Sequence, residues 1–521
     1  MPIQPAKVDN LTGPVEAVFT NFGGGLDWWS AKTTMPPNTA WLTENCFSRR
    51  EIFDPNFAGA LNSRPGLLLL HENPLGAGAG RLTNIRYVST RVAATGNFLF
   101  VLETTTGRIY STPWPGPIAY TLRATVAGAT EMRAVSAAGY GIFCVYGPGG
   151  VGGMYSFDGT TFALIIGAPQ ARYIAFHQNR VFVAGMDANT TRLQFSDLRA
   201  PLVGYGLNLI DDVDDDSGWQ ITGLLDFQGT LIVTTGIKIF ALAGSGPPDY
   251  SLYNINQAVG CSAPDSLTTD GDSIYFLSNR GFIRWDTHGE AEYISRPVWT
   301  YLRDDFDPDF ASGTLSAYFN WGLYSSYRNF EGTDYNRAIN LDLMTGGWFP
   351  TSKDSWKLSG LTSVENGEYL LAGDAANGRL YQVVTGTSDN GVGITSFWRH
   401  AHTDLGHPTA VKLLNHIEIL AEVDSGTQRL ELNVYRDFGL TPESMLAASA
   451  TDIDLRATGT GARMSVATVD SSRTNVLFRA TPSPSQKHFR TMSWEIKRTS
   501  ATTPFTVLAV KVVATLYPTV P

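Results

Sequence analysis

Cysteine is nearly absent. The 521 residues include three, Cys46, Cys144 and Cys261, far apart and without CxxC spacing. A disulfide framework and a cysteine-rich metal cluster are thereby excluded, and the three thiols read as small buried apolar residues. Charge is also sparse: 17% of residues are charged, acids outnumber bases 48 to 38, and the net charge is −10. A grip on nucleic acid through a basic surface is not expected from that balance. No window approaches the roughly 18 uninterrupted apolar residues of a membrane-spanning helix. The opening MPIQPAKVDN has no basic segment followed by an apolar one, so neither a membrane span nor a classical export signal is expected. GxSxG, HExxH, P-loop and dinucleotide-binding fingerprints are missing from any strand-to-helix context.

Turn and strand residues fill the space these absences leave. Glycine (52), proline (27) and aromatic residues (12%) are plentiful, the profile of a turn-rich all-β protein. The stretch GNFLFVLETTTGRIY from Gly96 returns in variant form as GTLIVTTGIKIF at Gly229, GDSIYFLSNRGFIRW at Gly271 and GEYLLAGDAANGRLY at Gly367. Taking the turn residue that opens each strand pair gives Gly96, Gly139, Asn179, Gly229, Gly271, Asn320 and Gly367, a mean step of about 45 residues, which suits a four-stranded propeller blade. After each anchor an apolar strand, a Gly, Asn or Asp turn and a second strand follow, as hairpin chemistry requires. FDGTTFALI from Phe157, WDTHGEAEYI from Trp285 and LMTGGWFPT from Leu343 add the turn into an outer strand. A single four-stranded sheet cannot cover both its faces, so stacking around an axis is expected.

The expected fold is therefore all-β: an irregular β-propeller of six or seven blades over residues 81–390. Residues 1–80, rich in Pro, Asn and Gly, read as an extended arm able to supply a closing strand. From Gly391 the rhythm stops and period-two runs such as AVKLLNHIEILAEV and FTVLAVKVVATLYP appear, the pattern of an antiparallel β-sandwich over 391–521. Helix has little place.

Candidate chemistry is thin. DDVDDDSG places Asp211, Asp212, Asp214, Asp215 and Asp216 together and begins like a calcium loop, but Gly223 stands where an EF-hand needs its glutamate; a solvated loop between blades is the simpler reading. His400 and His402 share one strand face with Asp404, and His407 follows, a weak zinc pattern. DDFDPDF, Asp304–Phe310, clusters acids of the kind a glycosidase uses, and nothing in the sequence fixes their separation. GPGGVGG, Gly147–Gly153, lies inside a hairpin and reads as a loop. No catalytic, cofactor or metal residue is assigned, and no enzyme is expected.

Two stretches carry a family resemblance. NFGGGLDWWSAKTTMPPNTAWLTENCFSRREIF followed by SRPGLLLL resembles the opening of the β-propeller tail proteins of tailed bacteriophages, through Asn21, Gly24, Gly25, Leu26, Pro36, Asn45, Arg64, Pro65 and Gly66. VGCSAPDSLTTDGDSIYFLSNRGFIRWD is similar to a blade segment of that family through Gly260, Ala263, Pro264, Ser266, Phe276, Leu277, Ser278 and Gly281. The resemblance points to the nozzle, or tail tubular protein, of short-tailed phages. It implies a homohexamer in the virion tail, made in the host cytoplasm, that meets adaptor and tail fibre or needle proteins and lets double-stranded DNA pass during ejection. The 391–521 sandwich departs from that pattern. An acidic wall suits the task, because DNA carries one negative charge per about 1.7 Å and a basic lumen would hold it; Asp211–Asp216 are candidates to line or gate such a channel. The alternative is a glycan-binding or glycan-cleaving propeller that acts as a receptor-binding tail component; a third reading is a cellular scaffold that uses a propeller face to bind peptides.

Overall fold

A computed structural model describes residues 13–31, 34–48, 59–72, 80–91, 96–211, 213, 218–256, 258–286, 291–352, 356–364, 367–423, 429–438, 443–444, 452–454, 465–470, 473–480, 488–501 and 505–517. It is all-β: among the described residues there is one α-helix, Trp299–Asp305, and four short 3-10 turns. The chain divides into two compact units, one of residues 67–340 and 352–385, the other of residues 1–66, 341–351 and 386–521.

The first unit is a β-propeller with six four-stranded blades. Blade one consists of Leu82–Ser89, Asn97–Glu103, Arg108–Pro113 and Thr121–Thr125; blade two of Glu131–Ala137, Tyr140–Gly147, Val151–Phe157 and Phe162–Leu164. Blade three is Tyr173–His177, Arg180–Met186, Asn189–Phe195 and Leu209–Ile210; blade four is Ile221–Phe227, Thr230–Thr235, Ile239–Ala243 and Ser251–Asn256. Blade five is Thr268–Thr269, Ile274–Ser278, Gly281–Trp285 and Glu292–Tyr293. A meander that starts Leu315–Phe319, Gly322–Tyr327 packs between blade five and blade six. Blade six joins Leu358–Val364, Tyr369–Asp374 and Leu380–Val383 to Leu67–His71, whose Leu68 pairs with Gln382. The outer strand of the last blade thus comes from the beginning of the unit, and the ring closes by pairing its own two ends.

The period-two pattern explains the stacking. Along Asn97–Glu103, Phe98, Phe100 and Leu102 pack toward Met132, Phe143 and Phe157 of blade two, whereas Leu99 and Val101 pack toward Leu371 and Leu380 of blade six. Val181 and Val183 face Ile142 and Met154 of blade two, while Phe182 between them faces Leu231 and Phe240 of blade four. Alternate side chains leave opposite faces of a strand, so one apolar run such as FLFVL serves two interfaces. Each fully buried side chain of this kind is worth about 1.5–3 kcal/mol. The sequence anchors fall in the hairpins between first and second strands. Ala138–Gly139, Gln178–Asn179, Gln228–Gly229 and Asn320–Trp321 each have φ between 44° and 88° at both positions, the type I′ geometry whose twist matches the strands it joins.

The second unit is a sandwich assembled from three stretches of chain. One sheet is antiparallel, ordered Ser465–Asp470, Arg473–Ala480, Lys412–Val423, Thr506–Leu516, Leu61–Ser63 and Cys46–Ser48, with Pro14–Phe19 also on Thr506–Leu516. The other is mixed: Gly25–Leu26 runs parallel to Thr39–Glu44 and to Trp348–Pro350, and Ile394–His400, Met492–Ala501 and Arg429–Arg436 follow. Phe22 sits edge-on to Trp398 and Trp494 in the core, with ring centroids 5.8 and 6.3 Å away, and Ile417, Ile496 and Val510 fill in around them. Cys46, Cys144 and Cys261 are all buried and free; burial pushes each thiol up to about 12.

Candidate functional site

The propeller axis gathers a network of partly buried charges. Arg86 lies on the first strand of blade one, and Glu131 and Arg133, two residues apart, lie on the first strand of blade two. Arg172 immediately precedes the first strand of blade three, and Asp265 sits on the 3-10 turn Pro264–Ser266 ahead of blade five. Each Asp265 oxygen takes one guanidinium, Oδ1 from Arg86 at 3.0 Å and Oδ2 from Arg133 at 2.8 Å. Arg133 also donates to Glu131 at 2.5 Å, and Arg172 donates to Glu131 through Nε at 2.8 Å and through Nη2. Arg133 lies over the Tyr173 ring, 4.9 Å from its centroid. Five charged groups from four structural elements thereby bridge the axis.

Burial alone would push the Asp265 carboxyl up; Arg133 and Arg86 more than offset it and hold the group below its ordinary range. Glu131 behaves alike, with burial overcome by Arg133 and Arg172. Arg86 is shifted down, because its desolvation exceeds what Asp265 returns. A cavity of about 320 Å³ lies against Arg86, Arg133 and Asp265, lined also by Thr268, Thr362 and Ser363. A second, of about 250 Å³, shares Arg133 and Asp265 and is bounded by Arg81, Glu131 and Arg172. The network therefore belongs to the walls of both axial cavities.

The blade segment that carries the family resemblance is what places Asp265. A Cβ on Gly260 would lie 2.3 Å from the Thr235 oxygen and the Ile237 nitrogen, so only glycine lets the chain pass that close to the blade-four hairpin. Ser266, fully buried, donates to the Ala263 carbonyl at 2.6 Å and accepts from the Leu277 amide at 2.8 Å. Pro264 opens the turn, Phe276 is buried between blades four and five, and Gly281, at φ 110°, has no room for a Cβ beside the Ser295 hydroxyl. The sequence pattern pointed to these supports but not to the acid they hold, nor to Arg86, Glu131 or Arg133. One polar residue on an otherwise β-patterned strand gives little signal until the ring brings the first strands of the blades together.

The N-terminal motif residues are structural within the sandwich unit. Asn21 Oδ1 accepts from the Gly23 amide at 2.7 Å. Gly24 and Gly25 run so close to Asn38 and Trp348 that a Cβ would meet backbone atoms at 2.8 and 2.4 Å, and Leu26 is fully buried. Arg64 is inaccessible and forms a two-pronged pair with Asp389, at 2.8 and 2.5 Å, while its Nε donates to Asn45 at 2.8 Å. After Pro65, whose carbonyl accepts from Arg64 at 3.0 Å, Gly66 leaves no room for a Cβ against the Ser388 backbone.

The other candidates are absorbed by local structure. Asp211 pairs with Arg192 and is half exposed; Asp212, Asp214, Asp215 and Asp216 lie outside the described residues. Asp305 accepts from Tyr327 at 2.8 Å, and Asp307 takes Arg328 at 2.6 Å and caps the turn at Asp309. His400 is buried with Nδ1 2.6 Å from the Ala401 carbonyl and Nε2 3.1 Å from that of Pro37, and its ring stacks on Trp494. His402 packs against Phe438. Among the described residues no three His, Cys, Asp or Glu side chains converge as a metal site, and no helix is long and apolar enough to cross a membrane.

No known protein family matches the chain, and neither does any curated protein. Among solved structures, a chain of the "Crystal Structure of Mitotic Checkpoint Complex" aligns over 64% of this chain and 99% of its own, at 10% identity and a TM-score of 0.36. A likeness at that level carries no argument about function.

Proposed function

We propose that this protein is a structural component of a tailed phage virion that forms the distal tail tube, or nozzle, as a ring of six copies. The supporting observation is that several of the residues that carry the resemblance to phage tail propellers are committed to a close backbone approach or a buried bond: Gly24, Gly25 and the Arg64–Asp389 corner in one unit, Gly260 and Ser266 in the other. Residues with such roles preserve a fold, as a wall protein requires, and leave surface loops free to meet adaptor and fibre or needle proteins.

The DNA path in this reading lies between copies. The propeller axis holds a cavity of about 320 Å³ beside a bridge of ion pairs, no passage for a duplex whose major groove alone is about 12 Å wide. The net charge of −10 suits a lumen that DNA must leave quickly. The test is electron microscopy of the purified protein and of isolated tails: a six-fold ring with an axial opening at the tail tip supports the reading, and a peripheral monomer or trimer refutes it.

A further inference from the structure

The axial cavity has more cationic donors than the protein itself uses. A guanidinium carries five N–H donors. Arg86 directs Nη1 to the Ile85 carbonyl at 3.1 Å and Nη2 to Asn84 and Asp265, at 3.5 and 3.0 Å. Its Nε–H and second Nη1–H make no hydrogen bond to the described residues. Arg133 spends both Nη1 hydrogens, on Glu131 at 2.5 Å and on the Arg172 carbonyl at 3.1 Å, and one Nη2 hydrogen on Asp265 at 2.8 Å. Its Nε–H and other Nη2–H are likewise unengaged among the described residues. Both side chains line the cavity of about 320 Å³, and both are mostly shielded, at 19% and 11% exposure.

The charge count points the same way. Three guanidiniums, Arg86, Arg133 and Arg172, face two carboxylates, Asp265 and Glu131, an excess of one positive charge at the axis. Arg81 at the far cavity is matched by Asp334 at 2.8 Å and leaves that excess unchanged. Thr362 and Ser363, on the first strand of blade six beside the strand that carries Arg86, also line the cavity; their hydroxyls can donate to an oxyanion and bring no competing charge. An uncompensated cation in a shielded pocket is unfavourable unless an anion or water serves it. At about 30 Å³ per water, the cavity has room for a tetrahedral or planar oxyanion together with several waters.

We infer that the propeller axis is a binding site for a small free oxyanion of the phosphate or carboxylate class, held by Arg86 and Arg133 with the help of the Thr362 and Ser363 hydroxyls that line the same cavity. The inference does not depend on the nozzle reading. It would hold for this propeller in any assembly, and its failure would leave the ring of six untouched.

The experiment is a titration of the full chain with inorganic phosphate, and separately with citrate, against chloride at matched ionic strength, read by calorimetry and by the melting temperature. Saturable binding is expected for the wild type, weakened about tenfold or more in Arg86→Gln, since each tenfold is about 1.4 kcal/mol, the size of one charge-assisted bond. Asp265→Asn should bind more tightly than wild type, because it removes the carboxylate that competes for both guanidiniums; a loss of charge-pair stability alone would not produce a gain in affinity. Should either variant fail to fold, tungstate soaked into crystals of the wild type tests the same point through its anomalous signal, expected within hydrogen-bond reach of Arg86. No saturable effect of either anion on the wild type, equal affinity in Arg86→Gln, or tungstate only at surface sites would overturn the inference.

Discussion

Replacing Asp265 by asparagine tests the axial network most sharply. The substitution keeps the shape of the side chain and removes the one carboxylate that both Arg86 and Arg133 address. Breaking a buried pair by removing one partner costs about 3–5 kcal/mol, because the remaining charge stays desolvated. Two features put this case at the low end. Asp265 keeps 20% exposure toward the cavity, and Arg133 retains Glu131, so about 3 kcal/mol is expected. For a unit of this size 1 kcal/mol corresponds to about 2 °C in melting temperature, which gives a fall of about 6 °C. Two units need not melt together, so the assay is scanning calorimetry in which the propeller transition is followed separately. The double variant Arg86→Met/Asp265→Asn should recover part of the loss, since the charge left stranded by the first change is then absent. A fall of less than about 1 °C in the single variant, or strict additivity in the double, would refute the claim that these residues form a coupled buried network.

Gly260→Ala should cost about 2–3 kcal/mol, as a Cβ 2.3 Å from the blade-four backbone forces the Pro264–Ser266 turn to shift; a melting temperature within error of wild type would contradict it. Arg64→Lys should cost the sandwich unit about 3 kcal/mol, because an ammonium reproduces neither the fork to Asp389 nor the Nε bond to Asn45, measured as loss of the corresponding calorimetric transition temperature. Stability should fall with acid in two stages. Burial outweighs the Ala401 and Pro37 carbonyls and lowers the His400 pKa, so the unfolded chain takes up that proton first and stability declines as the pH drops below about 6.5. Asp265 and Glu131, held low by their arginines, contribute stability that is present above about pH 4.5 and is lost as the pH falls through their folded values. His400→Gln should reduce the first stage and leave the second, as read by melting temperature against pH; an unchanged profile would count against the histidine.

The propeller was legible in the sequence because its signals are local. A type I′ turn needs two residues that tolerate positive φ, so Gly139, Asn179, Gly229 and Asn320 marked the hairpins. The interblade packing likewise follows from alternation within single strands such as Phe98–Leu102. The anchors start one strand late, however, and pass over each blade's first strand. Those strands carry Arg86, Glu131 and Arg133, whose meeting depends on ring closure and on partners about 130–180 residues away, such as Asp265, and no local pattern encodes that. The sandwich contribution of the N-terminal residues was hidden for another reason: Gly25–Leu26, Cys46–Ser48 and Leu61–Ser63 are too short for periodicity to register.

The most direct test of the proposed role is the copy number and symmetry of the protein, by native mass spectrometry of the purified chain and electron microscopy of tails. The account predicts six copies in a ring with an axial opening wide enough for duplex DNA. A stable monomer, or a trimer attached to the side of the tail, would contradict it.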